Sequence, residues 1–320
     1  MSAGRPRQAT RVVMALLYVV GLPACDSSSD PVARPTASTE APPTSVTVAA
    51  APSPPSGLPH TAVAAEESGR LVVVDVASGE VLRTLMTFSD LLTEAPEGGH
   101  AFPRDITLTP DGTVAYLDWC CEPAAGDIRR VPTAGGDGAG ADSVAHGYGP
   151  SVSPDGASVT WGTYTSGITI RTGDQQRLVP GPERPTDLFY TATAWVDDRR
   201  VAYVRSTPGG HVTEDQVYIH DIAAPDLLGD RLLAEVKDLR DLVRRGDGSL
   251  VWVGSDGVGH VLDPETGRET AAFELGSDVR DIAYDATGTW LLYTTQTREL
   301  RWTGGGRSGS IPGRFVAAGW

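Results

Sequence analysis

The sequence predicts an all-β chain made of repeated four-stranded units closed into a ring of six, and three observations predict it. Glycine and proline supply 37 and 24 of the 320 residues, a load that shortens helices and multiplies tight turns. A turn signal followed by an aromatic strand residue recurs five times. The two ends of the region beyond residue 60 read as complementary fragments of one further unit.

The recurring turns are Leu108-Thr109-Pro110-Asp111-Gly112, Val152-Ser153-Pro154-Asp155-Gly156, Trp195-Val196-Asp197-Asp198, Arg245-Gly246-Asp247-Gly248 and Tyr284-Asp285-Ala286-Thr287-Gly288. Each follows a short apolar run and precedes another, and Asp-Gly suits the positive-φ positions of hairpin turns. Beyond each turn stands an aromatic, at Tyr116, Trp161, Tyr203, Trp252 and Tyr293, with spacings of 45, 42, 49 and 41. Third and fourth strands follow, as in Gly167 to Arg171 with Gln176 to Pro180, and Val258 to Leu262 with Glu269 to Leu275. The turn between them recurs as Asp75 to Glu80 and Asp263 to Arg268.

Four strands in about 42 residues is the blade of a β-propeller. These Ser/Thr-Pro-Asp-Gly segments resemble those of WD-repeat-like and TolB-like propellers, a resemblance that covers residues 60–320 and implies a fold without naming a task. Arg314 to Trp320 reads as a first strand lacking its partners, and Thr61 to Ala65 through Leu85 as second, third and fourth strands lacking a first. Joined, they make a composite blade that closes the ring and removes two sheet edges. A seventh blade would have to fit between Thr87 and His100, which is too short.

Residues 1–25 set the compartment. Arg5, Arg7 and Arg11 lead into an apolar run from Val12 to Leu22, which is too short for a membrane-spanning helix and has the form of a secretion signal. Its ending, Leu22-Pro23-Ala24-Cys25, resembles the lipobox of bacterial lipoproteins, although Pro23 is an unusual occupant. The resemblance implies acylation of Cys25 as the mature N-terminus, in place of ordinary cleavage after Ala24. Residues 26–59 carry 8 prolines among Ser, Thr and Ala with no apolar periodicity, the composition of a disordered tether. The expected organisation is a signal peptide over 1–25, a tether over 26–59 and a propeller over 60–320, on the outer face of a cell membrane.

The formal net charge is −15, which repels phosphate backbones and argues against nucleic acid as a partner. No catalytic set emerges. His60, His100, His146, His211, His220 and His260 are dispersed, without the close spacing of metal ligands. Gly304-Gly305-Gly306-Arg307-Ser308-Gly309 matches G-x-G-x-x-G in letters only, since no helical pattern follows. No metal site and no cofactor are assigned.

Three features remain as candidates. Asp105, Asp241 and Asp281 occupy matching positions in the first strands of their blades, which line the channel of a propeller. They would form either an acidic site for a cation or cationic ligand, or hydrogen-bonded links between blades, with Arg104, Arg240 and Arg280 placed to neutralise them pairwise. Cys120 and Cys121 can pair only with each other or stay reduced, and in an oxidising exterior the vicinal disulfide is favoured despite its strain. The aromatic repeat is read as core packing, with Trp119, Trp302 and Trp320 better placed on the rim for stacking a ligand. The expected task is binding of an unidentified envelope protein or small ligand. The alternative is a propeller enzyme, whether hydrolase, lyase or quinone-dependent oxidoreductase, that uses the channel acids.

Overall fold

The computed structural model describes residues 55–87, 102–120, 126–135, 141–182, 189–207, 214–276 and 278–320, without the side chains of Phe102, Cys120 and Thr207. Cys25, Cys121 and residues 1–54 lie outside the described residues. No described helix is long and apolar enough to cross a membrane.

Six four-stranded antiparallel sheets form the blades. Blade 2 contains β4 (Phe102–Leu108), β5 (Val114–Cys120), β6 (Asp127–Pro132) and β7 (Asp142–His146). Blade 3 contains β8 (Tyr148–Val152), β9 (Ser158–Gly162), β10 (Gly167–Thr172) and β11 (Gln175–Pro180). Blade 4 contains β12 (Phe189–Trp195), β13 (Arg200–Thr207), β14 (Glu214–Asp221) and β15 (Arg231–Lys237). Blade 5 contains β16 (Asp241–Arg244), β17 (Leu250–Val253), β18 (Val258–Leu262) and β19 (Glu269–Glu274). Blade 6 contains β20 (Val279–Tyr284), β21 (Trp290–Thr295), β22 (Leu300–Gly304) and β23 (Arg307–Ile311). Blade 1 is the predicted composite: β24 (Phe315–Gly319) is its innermost strand, followed by β1 (Thr61–Glu66), β2 (Arg70–Asp75) and β3 (Val81–Thr87).

Burial is greatest on the second strand of blades 3, 5 and 6 and least on their fourth, matching the more apolar sequence of the second strands. Every residue of β17 and β21 is buried, whereas β11 and β19 are mostly exposed. Six apolar clusters fill the wedges between neighbouring blades. The aromatic repeat lies in these wedges, with Trp161, Tyr203, Trp252 and Tyr293 buried and Tyr116 packed at the edge of its cluster. Closure uses the same chemistry. Phe315 is 1% exposed, and β24 contributes to the clusters on both of its sides. Glu67, in the turn after β1, pairs with Arg298 of blade 6 and with Arg314 just before β24.

The repeated turns are held by their own aspartates. Asp155 Oδ1 accepts from Ser153 Oγ at 2.6 Å and from the Ala157 N–H at 2.9 Å, with Gly156 at φ 73°. Asp111 does the same between Thr109 and Thr113. Asp285 accepts from the Thr289 and Trp290 N–H groups at 2.9 and 2.8 Å. Side-chain-to-backbone bonds two to five residues apart make each reversal self-contained.

Candidate functional site

The innermost strands surround a channel with a different cavity at each end. The cavity at the end of the repeated turns is about 430 Å³ and is lined by Thr107, Pro110, Ser153, Pro154, Trp320 and Pro59, among others. At the opposite end, a cavity of about 320 Å³ is lined by Arg104, Asp105, Asp118, Tyr148, Gly149, Phe189, Thr191, Ala192, Arg240, Asp241, Arg280 and Asp281. Asp105 lines both and marks the waist. The three predicted aspartates and the three arginines that precede them therefore meet at one mouth.

Backbone irregularities put them there. In a regular strand, consecutive side chains point to opposite faces, so Arg104 and Asp105 would diverge. The register slips between Pro103 and Asp105 in β4, and between Val279 and Asp281 in β20. Arg104 and Arg280 occupy the extra positions, and both residues of each Arg-Asp pair reach the cavity. Further slips lie between Tyr148 and Ser151 in β8, between Tyr190 and Thr193 in β12, and where β24 meets β1 at Glu66 and Ala65. Five of the six innermost strands are thus bulged at the charged end, the kind of irregularity that re-aims side chains beside functional sites. Gly149 shows the crowding: it has φ 53°, and a Cβ there would lie 2.6 Å from the Ala192 Cα.

The carboxylates also tie blades together. Asp241 Oδ2 accepts from the Ile282 N–H of blade 6 at 2.8 Å, and Asp281 Oδ2 accepts from the Ala318 N–H of blade 1 at 3.1 Å. Asp118 Oδ2 accepts from the Gly149 N–H of blade 3 at 3.2 Å. Asp118 was not picked out from the sequence. Its signal was available, since an acid interrupts the apolar run of β5 and sits directly across from Asp105 in the ladder.

Packing these acids together shifts their protonation. Burial raises Asp118 to about 6, against the opposing pull of the Gly149 N–H and of Arg104. Burial likewise raises Asp241 to about 6, opposed by its hydrogen bonds. Asp281 is pushed well above the ordinary carboxylate range by burial and then by the charge of Asp241. Asp105 is raised in the same direction by burial and then by Asp241, Asp281 and Asp118.

The three arginines differ in what they do. Arg240 spends its guanidinium on blade 6, donating to the Val279 carbonyl and to the Gln296 amide oxygen at 3.0 and 3.1 Å. Arg104 is exposed and acts on Asp118 through its charge, and Arg280 acts on Asp281 in the same way.

The other candidates fare differently. Trp119 is buried at 3% exposure in the wedge between blades 1 and 2, which corrects its expected place on a rim. Trp302 and Trp320 are partly buried against the wedge between blades 6 and 1. Of the histidines, His220 is fully buried against Asp230, and His260 stacks on Trp252 between Glu269 and Asp256. Gly304 to Gly309 forms the β22–β23 hairpin, with Gly305 and Gly306 at positive φ in its turn. Among the described residues, no group of three or more His, Cys, Asp or Glu side chains is arranged to hold a metal ion. Cys120 ends β5, but its side chain and Cys121 lie outside the described residues.

Fold and site together define a six-bladed β-propeller whose channel has one charged mouth. No protein-family model and no curated protein matches the chain. Among solved structures it is similar to the Kuenenia stuttgartiensis hydrazine synthase, with 15% identity and a TM-score of 0.49 over 77% of this chain and 73% of that one. At that level the likeness carries no chemistry over to this chain.

Proposed function

We propose that this chain is a lipid-anchored propeller on the extracytoplasmic face of a membrane, and that it binds its ligand at the charged mouth of the channel. The observation that carries the binding reading is a single cavity lined by three arginines and four aspartates, at which bulges in β4 and β20 turn Arg104 and Arg280 inward beside Asp105 and Asp281. The anchoring part rests on the apolar run, the lipobox-like ending at Cys25 and the proline-rich residues 26–59.

A second reading, a propeller enzyme, draws on the Asp241–Asp281 pair, because neighbouring buried carboxyls raised above their ordinary range are suited to acid–base chemistry. Against it, both are committed to backbone N–H groups of the next blade, and they are 7% and 2% exposed. Binding is the better-supported reading.

The test uses the full chain recovered from the membranes of the producing cells. Small molecules released on denaturation are compared between wild type and the Arg104→Gln, Arg280→Gln variant. A compound retained by wild type and lost from the variant supports the reading, whereas identical pools contradict it. Mass spectrometry of the mature N-terminus checks the address: diacylglyceryl-modified Cys25 is expected, and an unmodified terminus at another residue contradicts anchoring.

A further inference from the structure

Resting on the reading that the charged mouth is a binding seat, we infer that its ligand is a small aromatic carboxylate, held by the arginines at its acid group and by Tyr148 and Phe189 at its ring. The positions that open the innermost strands are not equivalent around the mouth. Blades 2, 5 and 6 present Arg104, Arg240 and Arg280, whereas blades 3 and 4 present Tyr148 and Phe189. Blade 1 adds no side chain to that cavity's lining. In a ring of six, blades 2 and 5 face each other, so Arg104 and Arg240 stand on opposite sides with both aromatics along the arc between them.

A cation does not suit this seat. Three guanidiniums line it, and burial together with the crowding of acids raises Asp281 and Asp105 above the ordinary carboxylate range, which weakens their hold on a cation. The mouth thus gathers cationic side chains at one place on a chain whose net charge is −15. A carboxylate is the matching group, because a guanidinium presents a planar fork of donors to its two oxygens.

The other half of the wall favours a flat apolar body. Phe189 meets Tyr164 edge to face, with ring centroids at 4.4 Å and an interplanar angle of 69°. That contact fixes one face of an aromatic wall, and a planar ring would stack there at a gain beyond the area it buries. Ala192 and the Thr191 position complete the arc without adding charge. At about 320 Å³ the cavity lies at the lower end of the range for small-molecule sites, which favours one ring with its acid group over a polymer segment.

Isothermal titration calorimetry on the full chain, with benzoate, cyclohexanecarboxylate, acetate and benzylamine as probes, tests the inference. Benzoate is expected to bind one to one and about tenfold more tightly than acetate, with cyclohexanecarboxylate between them and benzylamine giving no saturable heat. Arg104→Gln and Phe189→Ala should each weaken benzoate about tenfold or more while melting stays within about 2 °C of wild type, since Arg104 is exposed. Benzylamine binding as tightly as benzoate, acetate matching benzoate, or an unaltered Arg104→Gln variant would each overturn the inference. A mouth selective for benzylamine leaves the binding reading standing and rejects only the ligand class. A mouth that binds none of the four probes, and whose arginine variant keeps the wild-type pool of retained molecules, overturns both.

Discussion

The two ends of the channel are built on the same innermost strands but hold their aspartates in opposite ways. At the turn end, Asp111, Asp155 and Asp285 each bond to groups within five residues of themselves. At the charged end, Asp118, Asp241 and Asp281 bond across blades to groups 31 to 41 residues away. Local bonds leave Asp111 and Asp155 exposed to water and serve the buried Asp285 within its own turn, whereas long-range bonds draw the charged-end acids into the interior beside their own kind. The turn end is accordingly suited to fold specification, and the charged end carries strain in its protonation that a ligand can use.

The largest effect is expected where both ends depend on one strand. Deleting residues 314–320 removes the innermost strand of blade 1, exposes two edges and takes away the N–H that Asp281 accepts. Scanning calorimetry should show the cooperative transition lost or lowered by more than about 10 °C. Phe315→Ala alone should cost about 3–5 kcal/mol by denaturant unfolding. A truncated chain melting with wild type would mean that the ring is not closed by β24.

The next test separates the ends. Asp285→Ala strips partners from the Thr289 and Trp290 N–H groups and should cost about 1–2 kcal/mol while leaving benzoate binding unchanged. Lost binding in this variant would show that the turn end takes part in the site.

Acidity distinguishes the ends by sign. Asp118 and Asp241 stand at about 6 in the folded protein against an ordinary 3.8, so they favour the fold while protonated, and that contribution disappears as pH rises through about 6. Asp111 and Asp155 are held below 3.8 by their turn hydrogen bonds, first from Thr109 and Ser153. Their contribution is present above that value and is lost as pH falls below it. Stability measured by urea unfolding should therefore peak near about pH 4 and fall as pH rises through about 6. In Asp241→Asn, which keeps an oxygen for the Ile282 N–H, the loss between pH 5 and 7 should shrink by on the order of 1–2 kcal/mol. An unchanged profile would remove Asp241 from the account.

The smallest effect belongs to the cysteines. We propose that Cys120 and Cys121 are bridged in the exported protein, and a bridge between neighbours barely restricts the unfolded chain. The Cys120→Ser, Cys121→Ser variant should melt within about 2 °C of wild type. Two titratable thiols in freshly isolated, denatured protein would refute the bridge.

What was legible in the sequence follows the same division. The Asp-Gly turns, the aromatic of each second strand and the split blade were readable because their causes are local or periodic. The matching places of Asp105, Asp241 and Asp281 were readable from the same alignment. Asp118 was missed because its partner, Gly149, belongs to another blade. The gathering of Arg104 and Arg280 over the aspartates was beyond reach because it depends on bulges, and a one-residue slip reverses which face a side chain takes. Trp119 was misplaced for a related reason: proximity to Cys120 and Cys121 suggested a rim, but the pleat turns its ring into the wedge between blades 1 and 2.

The central claim, that the charged mouth and not the turn end receives the ligand, can be tested by placing a heavy atom. Crystals of the propeller soaked in 4-iodobenzoate would locate the iodine by anomalous scattering. The account predicts one dominant peak in the cavity between Phe189 and Tyr148, with the carboxylate toward Arg104. A dominant peak beside Trp320 at the turn end, or none in the channel at a saturating soak, would contradict it.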